Sequence, residues 1–143
     1  MQNSYDTLDE ILRGSDPLRA NPLSIAHAMS PFSNSGLSPS VEILSAVHTY
    51  KQGWVIIENQ SLRRIIREDS ADFISNLLQS PEIPGWEITA RGSDSKGTVS
   101  WYAAGSDPNW DVAPFVIVLV LEEDDPVAAN KLGKEIPSYV VSN

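Results

Sequence analysis

The chain of 143 residues contains no cysteine. That excludes disulfides, thiolate catalysis and cysteine-ligated zinc together, and it assigns no compartment. Positive charge is also scarce: 10 Lys and Arg stand against 19 Asp and Glu, a formal net charge of −9. Such a field repels phosphate backbones and anionic lipid, so nucleic acid and membrane surfaces are not expected partners. Long hydrophobic runs are absent too. The longest, Phe115 to Leu121, is too short to cross a bilayer as a helix, so no direct membrane insertion by this segment is expected. The opening MQNSYDTLDEILRGSD has no basic stretch followed by an apolar one, so it does not read as a secretion signal. The two histidines, His27 and His48, have no carboxylate or second histidine at ligand spacing. They read as ordinary surface or core residues, and neither a metal nor another cofactor is expected.

What remains is 41% hydrophobic, the composition of a globular chain, with enough length for one domain. Tyr5, Leu8, Ile11 and Leu12 are spaced for one face of a short helix stopped by Gly14, an N-terminal extension over residues 1–16. Asn21-Pro22 is a helix start, with Leu23, Ile25, Ala26 and Met29 expected inward and Pro31 expected to end or kink the helix near Ser30. SNSGLSPS reads as a loop. Val41 to Tyr50 is apolar and ambiguous, Trp54 to Ile57 reads as a strand, and Ser61 to Ile66 fits a short strand or a loop. Glu68-Asp69-Ser70 opens a helix with an apolar face of Ala71, Ile74, Leu77 and Leu78.

Trp86 to Ser93 alternates, with Trp86, Ile88, Ala90 and Gly92 on one face and Glu87, Thr89, Arg91 and Ser93 on the other. Thr98 to Gly105 is a second strand, and Phe115 to Leu121 reads as a third, buried on both faces. Asp125-Pro126 starts a last helix, with Ala128, Leu132 and Ile136 in one row and the apolar strand expected beneath it. The predicted fold class is α+β: an antiparallel sheet of three to four strands with helices packed on it.

Two short words invite a catalytic reading. Ser93-Asp94-Ser95-Lys96 spells Ser-x-x-Lys, and Lys96-Gly97-Thr98 is a scrambled Lys-Thr-Gly. The first needs a helix, so that its serine and lysine share a face. Here it lies between two strand patterns, in ordinary turn composition, and the turn reading is preferred. The acidic run Glu122-Glu123-Asp124-Asp125 precedes a helix start, where acids are stabilised by the N-terminal partial charge, and it lacks calcium-loop spacing. The four tryptophans read as core or cleft-wall residues, with Trp110 in DPNWD expected to be the exposed one.

Several stretches resemble a known family. Asn21-Pro22-Leu23-Ser24-Ile25-Ala26, then Asn34-Ser35-Gly36 and Pro39, are similar to a "Ser-Pro-Leu-Gln-x-Ala" helix followed by "Asn-Gly-Gly" and "Pro". Ser100-Trp101-Tyr102-Ala103-Ala104-Gly105 and the tail PFVIVLVLEEDDPVAANKLGKEI look like the "Trp-Phe-x-Gly" strand, apolar strand and closing helix of a penicillin-binding protein transpeptidase domain. The resemblance runs from about residue 17 to residue 136, in the family's order, and covers only the C-terminal part of its longer domain. It implies a transpeptidase/β-lactamase-like fold for residues 17–143, treated as a single partial domain.

The family's chemistry is serine acyl transfer in bacterial peptidoglycan synthesis. It uses a helical Ser-x-x-Lys, a Ser-x-Asn and a strand Lys-Thr-Gly. No Ser-x-Asn occurs in this chain. Thr89-Ala90-Arg91-Gly92-Ser93 falls on the family's Gly-Lys-Thr-Gly-Thr, which puts Ala90 at the lysine position. The resemblance therefore implies a degenerate site with no catalytic residues, in which Arg91, Gly92, Ser93 and the loop residue Trp110 are the candidates for substrate contact. The expected role is a segment that is non-catalytic by itself, linked to the cell wall through its parent protein. The alternative is a small acidic protein-interaction module with no cell-wall role. Expected partners are the rest of a transpeptidase-like protein or a second copy of the chain. The expected location is the cell envelope inside a larger anchored protein, or the cytoplasm if Met1 is the native start.

Overall fold

The computed structural model describes residues 20–41, 46–56, 62–94 and 97–141. The helix expected over the N-terminal extension lies outside them. Helix α1, Pro22–Ser33, begins as the sequence dictates: the Asn21 side chain accepts from the Ser24 amide at 2.8 Å, and Pro22 takes the first turn. It does not stop near Ser30. Pro31 cannot supply the N–H that would bond the His27 carbonyl, and the Ser30 hydroxyl donates to that carbonyl instead, at 2.8 Å. The helix therefore runs on to Ser33. Of the residues expected inward, Ile25, Ala26 and Met29 are half-buried, but Leu23 in the first turn is exposed. The deep end of α1 is its C-terminus, at Pro31 and Ser33.

Two small strand pairs follow. Strand β1, Leu37–Ser38, pairs antiparallel with β4, Arg63–Arg64, inside the segment that reads as strand or loop. Strand β2, Ala46–Thr49, in the ambiguous region, forms a hairpin with β3, Gly53–Ile56, where a strand is expected. Ile57 lies outside the described residues. Helix α2, Glu68–Leu77, opens on Glu68 and Asp69 as expected. Its buried stripe is Ala71 and Ser75, with Ile74 and Leu78 beside it, while Leu77 and Phe73 point outward. Four-residue spacing from Ala71 reaches Ser75, so Leu77 falls on the far side.

The main sheet is β5, Gly85–Asp94, β6, Gly97–Ser106, and β7, Val116–Leu121, all antiparallel and adjacent in chain order. The hairpin register pairs Asp94 with Gly97. Ser95 and Lys96, where the sequence places the turn, lie outside the described residues. Alternation along β6 sends Ala103 and Gly105 to one face and Tyr102 and Ala104 to the other. Helix α1 covers the first face: Trp86, paired with Gly105, donates its indole N–H to Ser33 Oγ at 2.9 Å and meets Phe32 edge-on at 5.9 Å. Burying an indole of this size contributes roughly 5 kcal/mol before entropy.

Helix α3, Pro126–Val141, covers the second face. Asp125 accepts from the Ala128 amide at 2.9 Å, so this acid of the run acts as a cap. The inward row of α3 is Ala129, Gly133 and Pro137, one position on from Ala128, Leu132 and Ile136; the last two are exposed. Small residues face the sheet because the helix backbone lies close to Tyr102: a Cβ on Gly133 would stand inside its ring. Leu119 and Leu121 pack against the cluster of Ile83, Tyr102, Ala104 and Ala129, so α3 does cover the apolar strand. Helix α1 covers that strand's other face. All six residues of β7 are nevertheless half-buried, not fully buried, because β7 is an edge of the described sheet.

Candidate functional site

Arg91, Gly92 and Ser93 sit together near the C-terminal end of β5, opposite Ser100, Val99 and Thr98. Ser93 is exposed and its backbone is extended, so the serine of the Ser-x-x-Lys word does not stand on a helix. The Arg91 side chain turns to the α3 face, and its Nε lies 2.8 Å from Asp124 Oδ1. Ser100 donates to the Glu123 carbonyl at 2.8 Å on that same face. The acidic run is therefore drawn against the strand, where Asp124 pairs with the Arg91 guanidinium.

Gly92 turns to the opposite face. A Cβ there would lie 3.1 Å from Trp101 Nε1. What approaches Gly92 is thus the chain's own indole, and no foreign backbone is needed to explain a glycine at this position. Ala90, at the family's lysine position, is exposed on the same face as Gly92.

Trp110 is not part of this group. Register runs from Gly85↔Ser106 to Ser93↔Thr98, so the loop after Ser106 begins about 26 Å along the strands from Ser93. Trp110 is half-buried against Phe115, edge-on at 6.4 Å, and its loop is closed by Asp107, whose carboxylate accepts from the Asn109 amide at 2.7 Å. The exposed tryptophan is Trp54 in the β2–β3 hairpin, 72% accessible, while Trp86 is fully buried.

Two polar clusters were not singled out by the sequence. His27 Nε2 lies 2.9 Å from Ser38 Oγ and 2.9 Å from the Pro39 carbonyl. A carbonyl neighbour requires Nε2 to carry the proton, which makes it a donor and not a base for the buried Ser38. The pair ties α1 to β1. The second cluster lies between β5 and α3. Glu87 accepts from Ser80 Oγ at 2.7 Å and from the Tyr102 hydroxyl at 3.1 Å, and Lys134 reaches both Glu87 (3.3 Å) and Glu82 (2.8 Å). Burial, and then the negative charge of Glu87, pushes the Tyr102 hydroxyl well above its ordinary value. The hydrogen bond to Glu82 raises Lys134, against a smaller opposing effect of desolvation. Both groups keep their protons at neutral pH, and the cluster binds the helix to the sheet. The alternation that put Glu87 on the face of Thr89 and Arg91 was its one sequence signal.

Among the described residues no group of three or more His, Asp or Glu is placed to hold a metal ion, and no helix is long and apolar enough to cross a membrane. Comparison of the chain with protein-family models, with curated proteins and with solved structures gave no match.

Proposed function

We propose that this chain is a non-catalytic, transpeptidase-like segment that serves peptidoglycan synthesis within the cell envelope as part of a larger penicillin-binding protein. The observation that carries this reading is the β5–β6 hairpin. Its register holds Ala90-Arg91-Gly92-Ser93 on the strand where the resembling family keeps Lys-Thr-Gly. In that strand the lysine is an alanine, Arg91 is engaged by Asp124, and Gly92 is screened by Trp101. The order of helix, long antiparallel hairpin, apolar strand and closing helix supports the same reading, because it is the order the resemblance implies. An acyl-transfer centre needs an activated serine and donors for the oxyanion acting as a unit; Ser93 in an extended strand supplies neither.

Deleting the coding segment in its native cell and following incorporation of a fluorescent D-amino acid tests the cell-wall role. Altered incorporation is expected, and unchanged incorporation would overturn it. The second reading, an interaction module, is favoured by one observation, the exposed apolar hairpin β2–β3.

A further inference from the structure

We draw no further inference here: the strongest candidate, the apolar face of the β2–β3 hairpin that carries the accessible side chains Trp54 and Ile56, carries nothing further because nothing in the structure shows what covers it.

Discussion

Gly133 of α3 lies directly on the ring of Tyr102 at the centre of the sheet, with no room for a Cβ between them. In an ordinary helix interior, alanine is better than glycine by about 1 kcal/mol. Here the added methyl would overlap an aromatic ring that is completely buried, and overpacking of this kind costs about 1–3 kcal/mol or more. The clash outweighs the propensity. Gly133→Ala is expected to lower stability by about 2 kcal/mol in urea unfolding followed by tryptophan fluorescence. A gain in stability would show that α3 does not dock as described.

The Tyr102 hydroxyl gives the second test. Tyr102→Phe keeps the ring and removes the donor to Glu87; a hydrogen bond to a charged acceptor contributes about 1.5–3 kcal/mol, and a loss in the lower part of that range is expected because Glu87 keeps Ser80 and Lys134.

The same tyrosine sets an alkaline limit. In the unfolded chain its hydroxyl ionises near pH 10, whereas burial and Glu87 hold it protonated in the fold. The folded state then binds more protons, so stability is complete below about pH 10 and falls as pH rises further. Lys134, raised above its usual 10.5, acts with the same sign: its contribution is present below that value and is lost as pH rises through its folded pKa. Urea midpoints are expected to stay level from neutral pH to about 9.5 and then decline, less steeply in Tyr102→Phe. A decline beginning near neutrality would contradict this assignment.

Ser33 and Trp86 hold the opposite face. Ser33→Ala leaves the buried indole N–H without its acceptor and is expected to cost about 1–3 kcal/mol. Arg91→Ala, which breaks the exposed pair with Asp124, is expected to cost no more than about 1 kcal/mol, and less as salt rises. A loss for Arg91→Ala equal to or larger than that for Ser33→Ala in urea unfolding would contradict this ranking of the two contacts.

The long strands were legible because period-two alternation survives wherever a sheet has one helix on each face: Trp86, Ile88, Ala90 and Gly92 share the α1 side as the pattern implies. The inward row of α3 was displaced by one residue. Sequence reasoning weighs apolar size, and so favours Leu132 and Ile136, whereas the packing is decided by how close a backbone can come, which favours Ala129 and Gly133. Pro31 misled for a related reason, since the repair by the Ser30 hydroxyl depends on side-chain geometry that proline itself does not announce. At the candidate site, the strand position of Arg91, Gly92 and Ser93 was readable. The pairing of Arg91 with Asp124 was not, because the two are brought together only by the turn from β7 into α3. The distance of Trp110 from Ser93 follows from the hairpin register, which no composition rule supplies.

The claim that this chain performs no acyl transfer is tested most directly by incubating it with a fluorescent penicillin and measuring intact mass. Acylation needs a serine with a proton acceptor in reach and donors for the oxyanion, and Ser93 lies in an exposed extended strand beside an arginine already paired with Asp124. The account predicts an unmodified mass. A stoichiometric adduct that disappears in Ser93→Ala would contradict it and make the end of β5 an active site.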